Sequence, residues 1–318
     1  MWQRYVKAFL LTFGVGAAAA YAFIVLMDPY NSGRFGPQWI KGAVDADPRN
    51  GGVSRGRDGR FNSVVIGNSH AQEIDPSRLD EGTGLKFVQL SVPGAWAHEQ
   101  LTMLRWFIRH HDRIGAVVLV GDSVWCTQDP ALPNGYPFPF WLYSDSDVDY
   151  ARSVLRMAAL DRSWRRLLLA AGLRKESDPV GYLDYERERP WTFGEHARPI
   201  PDGFAPGGEP QPPQRSFPAI DQLKHLVAEL PAGARFVVIV PPVYAGDLPR
   251  AGSPGAQLMS ECKGALQALA GPGRFLDFAV DGPLMRDPAN FMDETHYRGT
   301  LARPMERAIV AVLSSSGS

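Results

Sequence analysis

The chain has 318 residues, of which 45% are apolar, so it can bury a sizeable core in one large domain or two small ones. Its 33 Lys and Arg residues nearly balance its 34 Asp and Glu residues, and a net charge of -1 supplies no basic field that would attract nucleic acid. The sequence contains no zinc-ligand spacing, no P-loop and no dinucleotide-binding glycine motif, so we expect no metal and no cofactor.

The N-terminal segment predicts a membrane anchor. Residues 8–27 form an uncharged run of 20 residues, and a helix of that length spans roughly 30 Å, the thickness of a bilayer core. Arg4 and Lys7 precede the run, so we expect the N-terminus in the cytoplasm and the bulk of the chain in the periplasm or outside the cell. A cleaved signal peptide is the alternative, because Ala20-Tyr21-Ala22 fits a small-x-small cleavage pattern. The apolar run continues to Met27, which favours the anchor.

Three segments follow from this pattern. Residues 1–28 are the predicted anchor, and residues 29–60, rich in Gly, Arg and Asp, are predicted to be a juxtamembrane linker. Residues 61–318 are predicted to form one domain that carries an insertion at 127–215. An insertion of this length usually forms a lid or a substrate-binding element.

Strands and helices alternate along the third segment. Apolar runs and helical spacing predict strands at 63–66, 86–92, 116–120, 235–240 and 274–278, and helices at 95–112, 217–230, 254–270 and 297–313. A further helix with a solvated basic face is predicted at 148–173 within the insertion. This alternation indicates an α/β fold with an open, mostly parallel sheet and right-handed crossovers.

The two cysteines, Cys126 and Cys262, are too few for a disulfide framework. One bridge between them is possible, but the interpretation that we favour is two free, half-buried thiols.

A serine follows the first strand in the stretch Val64-Val65-Ile66-Gly67-Asn68-Ser69. A serine hydroxyl becomes a nucleophile when a histidine, oriented by a carboxylate, accepts its proton. Asp293 precedes His296 by three residues, which allows it to bond the histidine Nδ1. Both motifs follow strands of the predicted sheet, whose carboxyl ends share one edge. The sequence therefore predicts a catalytic triad of Ser69, His296 and Asp293, whereas a simple turn serine would lie far from His296.

Acyl transfer also requires hydrogen-bond donors for the developing oxyanion. The candidates are the backbone N–H of Ser69, Gly94 after the second strand, and the loop after the third strand at Asp122. Ser123 in that loop is an alternative nucleophile, because Gly121-Asp122-Ser123 matches the GDS pattern of a nucleophile block. Choosing it would leave Ser69 and Gly94 without roles, so Ser69 is preferred.

These motifs, namely Gly67-Asn68-Ser69-His70, Gly94 and Asp293-x-x-His296, resemble those of the SGNH/GDSL hydrolase superfamily. The resemblance implies a flavodoxin-like three-layer α/β/α sandwich with a Ser-His-Asp triad. The chain departs from the family after the third strand, where no Asn is present to donate to the oxyanion. The anchor, the early serine and the long insertion are most similar to the membrane-anchored SGNH-like proteins of cell-envelope polymer acylation. These include accessory proteins of teichoic-acid D-alanylation and of alginate acetylation.

The resemblance implies a membrane-anchored serine esterase or O-acyltransferase, outside the cytoplasm, that acts on acyl esters of an envelope glycan or lipid. It also implies a possible partner, a multi-spanning membrane O-acyltransferase. The alternative is a non-catalytic SGNH-fold scaffold that binds such an acyltransferase or a glycan. The acyl group, the acceptor and the choice between hydrolysis and transfer stay open.

Overall fold

The computed structural model describes residues 1–35, 39–127, 129–131, 135–187 and 191–315. The helices, in chain order, are α1 (Trp2–Met27), α2 (Pro48–Gly56), α3 (Pro76–Thr83), α4 (Ala97–His110), α5 (Val124–Thr127), α6 (Phe140–Tyr143), α7 (Asp147–Val154), α8 (Met157–Ala170), α9 (Phe193–His196), α10 (Pro218–Ala228), α11 (Pro254–Ala270), α12 (Pro283–Arg286) and α13 (Gly299–Ser315). The strands are β1 (Ser63–Gly67), β2 (Phe87–Ser91), β3 (Ala116–Val120), β4 (Arg235–Val240) and β5 (Phe275–Asp277).

The chain divides into two compact units, each assembled from two separate segments. Unit 1 contains Met1–Asp58 and Pro139–Pro179, and unit 2 contains Gly59–Phe138 and Val180–Ser318. The predicted insertion at 127–215 is therefore shared between the units rather than forming one element.

Unit 2 is built on a five-stranded sheet in the order β2-β1-β3-β4-β5, and every neighbouring pair is parallel. Every residue of β1, β2 and β3 is buried, as expected of near-continuous apolar strands covered on both faces. Helices α3 and α13 pack on the face that presents Val65, Val118 and Val237. Helix α4 contacts β1, α11 contacts β4, and α10 packs against both helices. The prediction of an α/β fold with a parallel sheet is confirmed.

The bounds of the elements lie close to the predicted ones. Strands β3 and β4 and helix α11 match their predicted ranges, and α11 begins sharply because the Ser253 side chain accepts a hydrogen bond from the Ala256 N–H. Helix α3 was not predicted, although Asp75 caps it at the Ser77 N–H and Pro76 occupies its first turn. The helix predicted at 148–173 is two helices, α7 and α8, and no Pro or Gly marks the break between them.

Residues 29–60 do not form the linker that we expected, because much of their second half is folded. Helix α2 begins where the Asp47 side chain accepts the Arg49 N–H and Pro48 occupies the first turn. Val53 is fully buried, and the buried Arg55 donates to the carbonyl oxygen of Asp178 at 2.8 Å. A buried guanidinium requires such partners, so this segment is an integral part of unit 1.

Helix α1 has 26 residues and is long and apolar enough to cross a membrane. Its C-terminal end is held by Arg166 of α8, which is fully buried. The guanidinium donates to the carbonyl oxygens of Met27 at 2.7 Å and of Ile40 at 2.8 Å. A cation at a helix C-terminus also offsets the negative end of the helix dipole. The basic face of α8 is therefore not simply solvated, since this arginine holds the end of α1.

The cysteines form a disulfide, so the interpretation of two free thiols is wrong. Cys126 lies in α5 and Cys262 in α11, with Cα atoms 5.4 Å apart. The two residues are 136 positions apart in sequence, but α5 follows β3, α11 follows β4, and these strands are neighbours. The sheet topology therefore brings together two cysteines that spacing alone could not pair.

Replacing Arg166 with Met tests its role at the end of α1. The change leaves the part-buried carbonyl oxygen of Met27 and the buried one of Ile40 without this donor, and we expect the free energy of unfolding to fall by roughly 3 kcal/mol. Thermal or urea unfolding of the purified chain in detergent measures this loss. Arg165→Met is the matched control, because Arg165 is partly exposed and pairs with Asp161 one turn away in the same helix. Equal stability of the two variants would contradict the assignment.

Candidate active site

Ser69 lies immediately beyond the carboxyl end of β1. The Asn68 side chain accepts the His70 N–H at 3.0 Å and begins a short 3-10 turn over Ser69–Ala71. Gly67 ends the strand where a Cβ would come within 2.7 Å of the Ala71 side chain, so only glycine lets the turn fold back this tightly. The local sequence thus places the Ser69 hydroxyl at the edge of the sheet.

His296 reaches the same edge from the loop before α13. Its Nε2 atom lies 2.8 Å from the Ser69 Oγ, although the residues are 227 positions apart. Its Nδ1 atom lies 2.7 Å from Asp293 Oδ2. The loop is closed by the Met292 N–H, which donates to the His296 carbonyl oxygen at 2.7 Å. The distance expected of a nucleophile and its base is therefore present, and the interpretation of Ser69 as an isolated turn serine does not fit the structure.

The charge state of Asp293 follows from its hydrogen bonds. Burial alone would raise its pKa, but bonds from the His296 ring and from the backbone N–H groups of Thr295 and His296 hold the pKa well below its usual value. An ionised Asp293 accepts the proton on Nδ1 of His296, which leaves Nε2 free to accept the Ser69 hydroxyl proton. The three residues are thus arranged in the order that activates a serine.

A second His-Asp pair lies against the triad. Asp122 Oδ2 lies 2.6 Å from Nδ1 of His70 and accepts the Asn68 side-chain amide at 2.6 Å. The ring centroids of His70 and His296 are 4.9 Å apart. The pairing of His70 with Asp122 was not predicted from the sequence. The pair forms because β1 and β3 are neighbours in the sheet, so residues just beyond each strand meet.

We expected Asp122 to contribute to oxyanion binding, but its side chain bonds the His70 ring. Burial would raise its pKa, but the His70 ring, the Asn68 amide and the Val124 N–H together lower it. An ionised carboxylate repels an oxyanion, so this side chain orients His70 instead of donating a hydrogen bond to substrate.

Gly94 lies in the loop after β2, at the same edge of the sheet as Ser69. Its φ of 69° lies in the left-handed region that favours glycine, and an added Cβ would lie 3.3 Å from the ring of Tyr136. Gly94 is not among the residues that line the space around Ser69, whereas Ser123 lines a separate cavity whose wall also includes His70. The Ser69 N–H lies at the start of the 3-10 turn, and the N–H of the next residue, His70, donates to the Asn68 side chain.

A narrow recess surrounds the Ser69 hydroxyl and includes Glu73, Tyr185, His296 and Tyr297 in its lining. Tyr185 belongs to the part of the insertion that folds with unit 2, so the insertion contributes to the wall, as expected. Its N–H donates to Glu73 Oε1 at 2.9 Å. Burial raises the pKa of Glu73 to about 7, although this hydrogen bond acts in the opposite direction. An acidic group that titrates near neutrality therefore stands beside the triad.

Within the described ranges, no group of three or more His, Cys, Asp and Glu side chains is placed to hold a metal ion. The chain matches no protein-family model, and it matches no curated protein.

The raised pKa of Glu73 predicts a pH-dependent stability. Its ionisation is harder in the folded state than in the unfolded chain, so stability is fully present below about pH 4.5 and is lost as the pH rises towards about 7. In Glu73→Gln this loss should disappear, which makes the stability difference between variant and wild type change by about 3 kcal/mol between pH 4.5 and 7.5. Urea unfolding at the two pH values measures it. The control is Glu81→Gln, because Glu81 is exposed, and parallel pH profiles of the wild type and Glu73→Gln would refute the prediction.

Proposed function

We propose that the chain is an SGNH-type serine esterase or O-acyltransferase, anchored in a membrane, that acts on acyl esters of a cell-envelope glycan or lipid. The observation that carries the proposal is the contact of 2.8 Å between Ser69 Oγ and His296 Nε2, with Asp293 on the opposite ring nitrogen. Structural histidines are common, but a histidine bonded on one side to a carboxylate and on the other to a serine at a sheet edge is the arrangement required of a nucleophile and its base.

The chemistry follows from these contacts. His296 accepts the Ser69 hydroxyl proton while Oγ forms a bond to the ester carbonyl carbon, and Asp293 stabilises the imidazolium. Collapse of the tetrahedral intermediate breaks the bond to the leaving oxygen, which takes the proton from His296 and departs as an alcohol. Water or an acceptor hydroxyl then attacks the acyl-serine, again giving its proton to His296. The product is a free acid in hydrolysis and a new ester in transfer, and Ser69 is restored.

Donors for the oxyanion are proposed at the backbone. The N–H of Ser69 opens its turn, and the left-handed Gly94 lies in the next loop along the same edge. Backbone donors would replace the Asn that the family has after the third strand and this chain lacks. Asp122, which lies in that loop, directs its negative charge to His70.

The fold supports membership of the same group. We propose that unit 2 is a flavodoxin-like three-layer α/β/α sandwich, and the strand order 2-1-3-4-5 is the order of that fold. In such sheets ligands bind beyond the carboxyl ends of the strands, which is where Ser69 and His296 meet.

The location outside the cytoplasm is also proposed. Helix α1 has the length and composition of a membrane span, and Arg4 and Lys7 lie in its first turns. The disulfide between Cys126 and Cys262 fits an oxidising compartment, since such bonds are rare in the reducing cytosol. An envelope polymer as substrate and a membrane O-acyltransferase as partner rest on the family resemblance.

Labelling with a fluorophosphonate probe tests the catalytic proposal, because only an activated serine reacts. We expect the wild type and Ser123→Ala to be labelled and Ser69→Ala to be unlabelled. His296→Ala should lower kcat for an aryl ester by about 10³-fold or more, about as much as Ser69→Ala, because triad members act as a unit. Asp293→Asn should also lower it, since the amide favours the wrong tautomer of His296.

An unlabelled wild type, folded by circular dichroism, would instead favour a non-catalytic scaffold that binds a glycan or a membrane acyltransferase. Retention of turnover by His296→Ala, with loss in Ser69→Ala, would refute the assignment of the base alone.

Reporter fusions at the C-terminus test the topology. A periplasmic reporter such as alkaline phosphatase should be active, and a reporter that is active only in the cytoplasm should be silent, because Arg4 and Lys7 retain the N-terminus inside. N-terminal sequencing of the membrane fraction should find residues before Ala22. A soluble protein beginning at Phe23 would refute the anchor, and activity of the cytoplasmic reporter would refute the orientation.

A further inference from the structure

An apolar cavity of about 290 Å³ lies in unit 2 beside the triad. His70 and Thr295, the direct neighbours of Ser69 and His296 in sequence, form part of its wall. Most of the remaining wall is apolar and comes from the end of β4, the loop after it and α11, including Val240, Pro241, Val243, Leu258, Met259 and Leu266. His70 lines both this cavity and the Ser69 recess, so the two spaces lie next to each other with its side chain in the wall of both.

The charged groups in the cavity wall already have hydrogen-bond or ion-pair partners. The Lys263 ammonium is buried, lies 2.9 Å from Asp277 and donates to the Ala279 carbonyl oxygen at 2.7 Å. Asp247 pairs with Arg198 through one oxygen, and Asp122 pairs with His70. The wall that the structure describes therefore presents mainly aliphatic surface, and the charge on Lys263 is already matched, so little in it selects an anionic ligand.

The volume indicates the size of the ligand. An apolar cavity of about 150 Å³ accommodates benzene, with six carbons, so a cavity of about 290 Å³ has room for on the order of ten carbons. An acetyl or alanyl group would leave most of this space empty, whereas a medium-length alkyl chain would fill it and remove its own surface from water.

We propose that this cavity binds the acyl chain of the substrate, and that the enzyme prefers medium-chain acyl groups of about eight to twelve carbons to acetyl. The proposal rests on the proposed function, since it places the ester carbonyl at Ser69 Oγ. From there the chain passes the ring of His70 and enters the cavity between the loop after β4 and α11. The Asp122 carboxylate bonds that ring, and the Asn68 amide donates to the carboxylate. These bonds fix the position of the His70 ring beside the proposed path of the acyl chain.

Gly255 provides a way to fill the cavity. It lies in the first turn of α11 and lines the cavity, and its backbone is not in the left-handed region. An added Cβ would meet the Pro249 side chain at an ordinary contact distance of 3.4 Å. Gly255→Phe therefore adds a ring at the wall with little backbone strain, and Gly255→Ala is the matched control that adds one methyl group.

The experiment measures kcat/KM of the full chain in detergent for p-nitrophenyl esters from acetyl to palmitoyl. We expect the wild type to favour octanoyl to dodecanoyl esters over acetyl by about 10-fold or more, because the longer chains bury more apolar surface. Gly255→Phe should lower the ratio of decanoyl to acetyl kcat/KM by about 10-fold or more, and Gly255→Ala should lower this ratio by much less, because it adds only one methyl group. Partition of long esters into micelles is the same for all three proteins, so their ratios report the cavity.

A wild type that turns over acetyl ester as fast as decanoyl ester would overturn the proposal but leave the esterase intact. Equal losses on both esters in a folded Gly255→Phe would overturn it as well.

A binding measurement separates failure of the cavity from failure of the proposed function. On the Ser69→Ala background, methyl decanoate should raise the melting temperature, methyl acetate should not, and adding Gly255→Phe should abolish the shift. If no ester is turned over by the wild type but this shift is seen, the esterase proposal fails and the cavity still binds alkyl chains. Absence of the shift, in a Ser69→Ala protein that is folded, would refute binding at the cavity.

Discussion

The parallel pairing of all five strands is the constraint on which the candidate site depends. Parallel strands require a crossover between each pair, and every strand of this sheet ends at the same edge. Ser69 follows β1 in the interior of the sheet, and the chain passes through four more strands before it supplies His296. Because the order is β2-β1-β3-β4-β5, the loops beyond β1 and β3 are neighbours, and the last loop returns to them.

The polar side chains of the triad and of the neighbouring His-Asp pair are each held by a partner, although Asp293 and His296 are only half-buried. Each of the two histidines that face each other has its own carboxylate, Asp293 for His296 and Asp122 for His70. This pairing holds both rings in one tautomer and separates their tasks, since His296 is the one that contacts the serine. Glu73, in the Ser69 recess, differs from these carboxylates, because it accepts a hydrogen bond from the backbone N–H of Tyr185 and its burial raises its pKa.

Much of the sheet and of the triad could be predicted from the sequence because both leave local signals. Apolar runs such as Ala116–Val120 have one stable environment, and an Asp three residues before a His can bond it within one turn. The pairing of His70 with Asp122 and of Cys126 with Cys262 could not be predicted in this way. Both depend on which strands are neighbours, and strand order is a long-range property that spacing does not encode.

Sequence reasoning also underestimated unit 1, because a polar segment was taken for a linker. Residues 29–58 are short of apolar residues, yet Arg55 and Arg166 bury their guanidinium groups against carbonyl oxygens. Hydrophobic periodicity predicts only segments that pack through apolar side chains, so it does not detect a segment that packs through buried hydrogen bonds.

The interleaving of the two units has a consequence for how the chain must mature. Neither unit is contiguous, since residues 59–138 of unit 2 separate the halves of unit 1 and residues 139–179 separate those of unit 2. In the proposed location, a chain that emerges from a translocation pore completes neither unit until its later segments arrive. During this interval Cys126 has no cysteine to pair with, because Cys262 has not yet emerged. With only two cysteines in the chain, no incorrect intramolecular bridge can form. Maturation is thus exposed to aggregation through the edge of β3, which has no neighbour until β4 emerges, rather than to disulfide scrambling.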